Sequence, residues 1–143
     1  MSVTLDANIL LYASNADDPL HHSARELIDR LAGGPELLYL FWPTIMGYLR
    51  IATHPGIFPD PLPPKRASAA IASLLERPTV RTEAEGGGFW KVYGTVASVD
   101  TRGNHVPDAH LVALMHSHGV PLIYTRDRDF RRYEGIEARD PFA

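Results

Sequence analysis

The sequence predicts an α/β fold in which a mostly parallel central sheet carries helices on both faces. Short apolar runs, typical of buried strands, alternate with longer segments whose apolar residues recur at helical spacing. Such alternation favours parallel strands joined by helical crossovers. The 143 residues contain no repeat, linker or low-complexity tract, so we expect a single domain spanning residues 1–143.

The first part of the chain predicts two strands and two helices. Val3–Leu5 is a short apolar run that predicts a buried strand ending at Asp6. Apolar residues at helical spacing predict a helix over residues 20–31, which a glycine pair stops. Residues 37–40 are all apolar, as expected for a strand covered on both faces. Pro43 then opens a second helix, which ends before the next proline.

The middle of the chain begins with a segment that contains five prolines, residues 55–64, and this composition predicts an irregular loop. A helix over residues 67–75 and a strand over residues 80–82 are predicted to follow. The glycine triplet at 86–88 indicates a hinge or turn before an amphipathic, aromatic-rich segment at 89–99.

The last part of the chain predicts one more helix and one more strand. Pro107 fits the first position of a helix that runs to a stop at Gly119. Residues 121–125 predict another buried strand, and residues 126–130 are expected to form the loop that leaves it.

Composition excludes several classes of protein. The absence of cysteine rules out disulfides, thiolate metal sites and cysteine nucleophiles. No apolar run is long enough for a membrane span, and the N-terminus lacks the pattern of a secretion signal, so we expect a cytoplasmic protein that does not bind membranes.

The net charge of −3 argues against a general nucleic-acid binder. If RNA is the substrate, its affinity must come from local basic groups, bound metal and shape.

Four aspartates are placed where a site is expected in such a fold. Asp6 ends the first strand, Asp127 and Asp129 follow the strand at 121–125, and Asp108 lies in the first turn of a predicted helix. Sites in open α/β sheets form beyond the carboxyl ends of the strands. Three separate segments can therefore bring carboxylates to one edge of one sheet.

Clustered carboxylates favour a bound cation, because like charges at close range raise each other's pKa. Oxygen ligands without cysteine select Mg²⁺ or Mn²⁺ over Zn²⁺. These ions activate water and neutralise charge on a phosphodiester. The pattern therefore predicts metal-assisted phosphodiester hydrolysis.

Each acid also has a simpler interpretation. Asp108 can stabilise a helix N-terminus through the helix dipole, and Asp127 with Asp129 can belong to a solvated turn that also carries arginines. Asp6 is harder to explain in this way, because an acid that ends an apolar strand is not expected to cap a helix. Asn8 fits either an Asx-turn or a donor that orients Asp6. The joint placement of the acids, not any single one, supports a site.

The arginines have two interpretations. Arg126 and Arg128 begin a dense basic cluster that can hold RNA phosphates or form a mixed-charge loop. Arg50 can contact phosphate, pair with a site carboxylate, or simply lie on a helix surface.

Histidines and aromatic residues near the predicted site are also open to two interpretations. His105 and His110 flank Asp108 and can line the cleft, although an ordinary surface role is the commoner case. Trp90 and its aromatic neighbours can stack bases, but at helical spacing such residues more often form core or dimer interface.

Three motifs resemble those of the PIN-domain family. The first is an apolar strand followed by D-x-N at Asp6 and Asn8, and another is an Asp-Ala pair at Asp108 that opens an apolar helix. The last is a T-x-D-x-D-F run at residues 125–130. The motifs stand in the family's order and span nearly the whole chain, and the chain length is that of a VapC-like toxin.

The resemblance implies a three-layer PIN-like fold and a metal-dependent endoribonuclease that uses Mg²⁺ or Mn²⁺. It also implies a homodimer and a VapB-like antitoxin that blocks the active site. The substrates that it implies are structured RNAs, either transfer RNA or a ribosomal RNA loop.

The resemblance also assigns roles to residues by position. Asp6, Asp108 and Asp127 would be catalytic carboxylates that hold metal, with Asp129 as a further metal ligand. Two other residues would orient these acids: Asn8 and Thr125.

The chain departs from the family at one position. PIN nucleases usually carry a glutamate on the second helix, about five residues before a motif arginine. With Arg50 as that arginine, Ile45 stands where the glutamate is expected. If position 45 faces the cleft, Ile45→Glu is expected to strengthen metal binding.

Two rival functions remain open from the sequence. A metal-dependent phosphatase with an aspartate nucleophile would normally need a second acid two residues after Asp6, where this chain has Asn8. A PIN-like module that binds RNA or antitoxin with weak or no catalysis is favoured by the missing glutamate and opposed by the retained aspartates.

Overall fold

The computed structural model describes all 143 residues. Five strands run in chain order: β1 (Val3–Leu5), β2 (Leu38–Tyr39), β3 (Val80–Arg81), β4 (Leu122–Tyr124) and β5 (Glu137–Arg139). Six α-helices accompany them: α1 (Ala7–Ser14), α2 (His21–Ala32), α3 (Trp42–Ala52), α4 (Pro64–Leu75), α5 (Phe89–Val96) and α6 (His105–His118). A short 3₁₀ helix, Arg128–Arg132, lies between β4 and β5. None of the helices combines the length and the apolar composition that crossing a membrane requires.

The sheet is entirely parallel, with strand order β3-β2-β1-β4-β5. The chain first proceeds outward from β1 through β2 to β3 and then returns to the other side of β1 to form β4 and β5. The strand order therefore reverses between β1 and β4, which is the switch point where open α/β sheets form their binding crevice. The register pairs Leu5 with Tyr124, so Asp6 and Thr125 leave the sheet side by side.

Apolar side chains form two cores, one on each face of the sheet. The larger core contains buried residues of α1, α2, α3 and α4, and the smaller one contains buried residues of α6 together with Phe41 and Phe130. All three residues of β1 are buried. Burial on both faces explains why β1 carries apolar residues at both ends and why the hydroxyl of its middle residue, Thr4, donates to the Tyr39 carbonyl, and it confirms the predicted three-layer α/β fold.

Most predicted elements lie within three residues of the observed ones, and the remaining differences are as follows. Helix α6 begins at His105, two residues before Pro107. A proline is tolerated there because the first N–H groups of a helix have no intrahelical acceptor. The segment after β4 is a 3₁₀ helix that continues to Arg132 and not only an exit loop. The apolar pattern predicted neither α1, which begins directly after its N-cap Asp6, nor β5, whose residues are Glu137, Ala138 and Arg139.

Candidate active site

A single hydroxyl group connects two of the predicted site acids at the switch point. Thr125 is only 3% exposed, and its Oγ1 donates to Asp6 Oδ2 at 2.8 Å. The same oxygen accepts a hydrogen bond from the backbone N–H of Asp127 at 2.9 Å. Because β1 and β4 are paired in register, this bridge spans 119 residues of sequence. Thr125 therefore sets the separation and orientation of Asp6 and Asp127.

Asp6 is held from two sides and also caps α1. Its Oδ1 accepts the backbone N–H of Asn8 at 3.3 Å, so Asp6 is the N-cap of that helix. The expectation that Asp6 had no capping role is therefore wrong, because α1 begins directly at Ala7. Asn8 orients Asp6 through its backbone amide, since its exposed side chain makes no hydrogen bond.

Burial raises the pKa of Asp6, and repulsion from Asp127 acts in the same direction. The hydrogen bonds from Thr125 and Asn8 oppose this effect, because they favour the charged carboxylate. The carboxylate of Asp6 is thus desolvated but already supplied with donors, as expected for a group prepared to face a cation.

Asp127 and Asp129 lie on the exposed segment that follows β4. Asp127 caps the 3₁₀ helix, and its Oδ1 accepts the backbone N–H of Asp129 at 2.9 Å. Both residues are exposed. The T-x-D-x-D pattern is therefore a chain of local hydrogen bonds that fixes the turn and leaves carboxylate oxygens free to bind a ligand.

Asp108 brings the fourth carboxylate from the first turn of α6. Burial raises its pKa to about 6, and repulsion from Asp127, Asp6 and Asp129 contributes to this rise. His105 opposes the shift. Because Asp108 is repelled by the three other acids, all four aspartates lie close enough to interact electrostatically, in one acidic field at the carboxyl edge of the sheet.

One compact group in this field contains His105, which the sequence placed beside Asp108 but did not predict as a metal ligand. One ligand atom each from His105, Asp108 and Asp129 lies within 4.8 Å of the others. Two ligands of one Mg²⁺-sized ion are separated by about 3 to 4 Å, so a small movement of these side chains would close the group around an ion. Asp129, a minor ligand by motif position, is in this group, whereas Asp6 and Asp127 adjoin it.

The side chain of His105, together with the neighbouring carboxylates, forms a set of ligand atoms that suits a divalent cation. The Nδ1 atom of His105 is buried and has no hydrogen-bond partner, and it lies 4.0 Å from Asp108 Oδ2. An unpaired buried polar atom beside mutually repelling carboxylates is stabilised by a cation. The sequence offered one signal for this pairing, namely that His105 precedes Asp108 by three residues. This spacing places the two side chains on one helix face only if the helix already begins at His105.

Helix α3 contributes no acid to the site. Ile45 is 1% exposed and packs in the larger core, so position 45 does not open to the cleft. The condition under which Ile45→Glu was expected to rebuild a metal ligand is therefore not met. None of the residues of α3, whose sequence is WPTIMGYLRIA, is acidic.

Comparison with known proteins decides the family. A family model described as PIN domain matches residues 3–136. The chain belongs to the PIN-domain family. It is similar to ribonuclease VapC48 of Mycobacterium tuberculosis, with 49% identity over 100% of this chain and 99% of the relative. Ribonuclease VapC43 of the same species is 33% identical over 96% of this chain and 93% of the relative.

Solved structures with similar folds agree with this assignment of the PIN domain. VapC20 of Mycobacterium tuberculosis, described as a sarcin-ricin loop cleaving toxin, superposes with a TM-score of 0.66 at 19% identity, covering 91% of this chain and 93% of VapC20. VapBC2 of Rickettsia felis, solved with a DNA fragment from its promoter, matches with a TM-score of 0.69 at 14% identity, covering 97% and 98% of the two chains. At such identities the likeness concerns the fold alone.

Two of the three predicted RNA-binding arginines lie beside the acids of this PIN domain. Arg126 and Arg128 line a pocket of about 120 Å³ together with Asp127. The Nε of Arg126 also donates to Asp140 Oδ2 at 3.4 Å. Arg50 is exposed in the last turn of α3 and makes no ion pair, so the alternative that it pairs with a site carboxylate is not realised.

A wider groove leads away from the acids of the PIN domain. Two cavities of about 650 and 390 Å³ share Arg132 and Tyr133, and His105 lines the smaller one. The Tyr133 hydroxyl is buried without a partner. Burial raises its pKa, with Asp108 as the second cause. The groove is therefore continuous with the acidic field and carries one arginine at its wall.

Proposed function

We propose that this PIN domain is the toxin of a VapBC-type toxin–antitoxin system. Its activity is that of a metal-dependent endoribonuclease which hydrolyses phosphodiester bonds in structured RNA, either transfer or ribosomal RNA. The observation that carries the proposal is the convergence of four aspartates at the β1–β4 switch point, in a chain 49% identical over its full length to a ribonuclease VapC.

Each acid has a defined task in this proposal. Asp6, Asp108 and Asp127 hold the cation, and Asp129 completes its ligands from the 3₁₀ helix. Thr125 keeps Asp6 and Asp127 at a fixed separation. Bound Mg²⁺ or Mn²⁺ supplies a Lewis acid that lowers the pKa of water and neutralises charge on the phosphodiester.

The basic residues around the acids allow an acidic protein to hold RNA. Arg126 and Arg128 line a pocket together with Asp127, and Arg132 lines the wider groove. Contacts of this kind go mainly to phosphates and position the substrate. A local basic rim of this kind compensates for the net charge of −3. Arg50 lines neither of these cavities, so we give it a smaller part in RNA binding.

A VapB-like antitoxin and a second copy of this chain are the proposed protein partners. The surface carries large exposed apolar side chains, including Trp90 at 80% and Met46 at 54% exposure. Trp90 stacks on Tyr93 with ring centroids 5.7 Å apart, which orders the pair without burying it. Exposed large apolar side chains of this kind support the proposal that the protein binds another protein molecule.

Purified protein tests the proposed function directly. Incubation with transfer RNA and ribosomal RNA is expected to give discrete cleavage products in Mg²⁺ or Mn²⁺ and none in EDTA. Asp6→Asn and Asp108→Asn are expected to abolish cleavage, whereas Asp60→Asn, an exposed acid outside the site, should retain it. Cleavage that persists unchanged in EDTA would contradict the proposal.

A second candidate function is an RNA- or antitoxin-binding module without catalysis. The absence of an acid on α3 favours it, because fewer carboxylates hold the cation. The same experiment separates the two functions. RNA that is retained by the protein but never cut, under conditions where Mn²⁺ binds, would support the binding module.

A further inference from the structure

We propose that His105 is a direct ligand of the divalent cation through its Nδ1 atom, which makes the centre a mixed nitrogen–oxygen site that prefers Mn²⁺ over Mg²⁺. This inference rests on the proposed metal dependence and adds to it a ligand outside the three motifs.

The state of the Nδ1 atom is the first support. It is buried and has no hydrogen-bond partner, although the His105 side chain as a whole keeps 29% of its surface exposed. Leaving a buried polar atom unpaired is energetically unfavourable, so such atoms are usually satisfied by a protein group, water or an ion. The nearest carboxylate oxygen, Asp108 Oδ2, is 4.0 Å away, which is too far for a direct hydrogen bond.

The positions of the neighbouring carboxylates are the second support. His105 and Asp108 stand three residues apart on α6 and so share one face of the helix. Asp129 approaches from the 3₁₀ helix, and ligand atoms of the three residues lie within 4.8 Å of one another. Ligand atoms that share one small divalent ion lie about 3 to 4 Å apart, and the 4.0 Å between His105 Nδ1 and Asp108 Oδ2 is close to this range. These three side chains are therefore the ones that would together hold the ion.

The nitrogen ligand has a consequence for metal choice. Mg²⁺ takes oxygen ligands almost exclusively and keeps several of its waters. Imidazole suits first-row transition ions, whose affinity for a nitrogen site exceeds that of Mg²⁺. A centre with His105 in its ligand set is therefore expected to bind Mn²⁺ more tightly than one built from aspartates alone.

Pulsed EPR of Mn²⁺ bound to the full-length protein tests the inference without measuring cleavage. A directly coordinated imidazole gives ¹⁴N modulation, which we expect in the wild type and not in His105→Gln. The control is His110→Gln, on the same helix but paired with Glu85 outside the cluster, and it should keep the modulation. Calorimetric titrations should show a Mn²⁺ affinity lower by about 10-fold in His105→Gln, with a much smaller change for Mg²⁺.

The outcomes separate this inference from the proposed function. Tight Mn²⁺ binding without ¹⁴N modulation, or with modulation that persists in His105→Gln, overturns the role of His105 and leaves the aspartate site intact. No Mn²⁺ binding at all overturns both. Thermal melts in EDTA verify that each variant is folded, and a wild-type melting temperature in His105→Gln together with lost modulation supports direct ligation.

Discussion

At the scale of single residues, the geometry of the site depends on side chains that hold the acidic residues in place through hydrogen bonds. Thr125 is buried and hydrogen-bonds both to Asp6 and to the backbone of Asp127. The acids themselves are in a costly state, because burial and mutual repulsion both oppose their ionisation. A bound cation would reduce this unfavourable repulsion between the carboxylates.

Thr125→Val removes the bridging hydroxyl at nearly constant volume. We expect Mn²⁺ affinity to fall by about 10- to 100-fold, because Asp6 loses a hydrogen-bond donor and the turn at Asp127 loses its acceptor. Calorimetric titration measures the change. Thr125→Ser keeps the hydroxyl and should stay within a few-fold of the wild type. Equal affinities for the valine and wild-type proteins would contradict the orienting role.

The raised pKa of Asp108 predicts a pH-dependent stability in metal-free buffer. Its pKa in the folded protein is about 6, against 3.8 for the ordinary carboxyl, so its contribution to stability is present below about pH 4 and is lost as the pH rises through 6. Asp108→Asn removes the charge and should therefore raise the melting temperature at pH 8 by roughly 5 °C. The difference should vanish near pH 4.

Melting curves in EDTA across this pH range provide the measurement. Asp60→Asn, at an exposed position, should follow the wild type at every pH. A stabilisation by Asp108→Asn that does not depend on pH would show that repulsion among the carboxylates is not its cause.

At the scale of secondary-structure elements, helix ends and helix faces decide which residues reach the site. Helix α6 begins at His105, so its first turn presents both His105 and Asp108 to the acids after β4. Helix α3 turns Ile45 and Tyr48 into the core and leaves Met46 at the surface. Whether a residue of a helix can reach the cleft therefore depends on the face of the helix that carries it. Its sequence distance from the motif arginine is not sufficient to predict this.

Ile45→Glu is expected to destabilise the protein without improving metal binding. A carboxylate at a position that is 1% exposed must be desolvated in the core, which costs more than about 3 kcal/mol. Thermal melts and Mn²⁺ titration should show a lower melting temperature and no gain in affinity. Met46→Glu, one residue further on the exposed face, should be tolerated. Tighter Mn²⁺ binding in Ile45→Glu would mean that the side chain at position 45 reaches the cleft.

At the scale of the whole molecule, topology and charge work together. The return of the chain to the other side of β1 creates the switch point, and it brings residues 119 positions apart into hydrogen-bond contact. The net charge of −3 does not favour general affinity for RNA, so the proposed RNA binding would depend on the arginines around the acids.

Arg132→Ala tests this local mode of RNA binding. We expect a higher KM for RNA, an unchanged Mn²⁺ affinity, and a slope of log K against log salt reduced by roughly 0.7, the value for one phosphate contact. Cleavage kinetics at several salt concentrations measure the KM and the salt dependence, and calorimetric titration measures the Mn²⁺ affinity. Arg66→Ala, an exposed arginine on α4, is the matched control and should change none of them. An unchanged KM and slope in Arg132→Ala would exclude the groove as part of the RNA path.

The sequence by itself determined the α/β class, four of the five strands and the placement of Asp6, Asp108 and Asp127 next to strand or helix ends. These features were predictable because the apolar runs and the motif acids are local patterns, readable within a few residues. The family motifs added the metal and the ribonuclease function as expectations.

Only the tertiary structure decided the remaining features. Strand β5 has charged residues at both ends and forms because β4 offers it a free edge, which no local pattern records. His105 joins the acids because α6 starts early and packs beside the 3₁₀ helix, and Ile45 is buried because α3 faces the core there. Such features depend on contacts between distant segments, and the free energy of those contacts overrides the weaker local preferences of the chain.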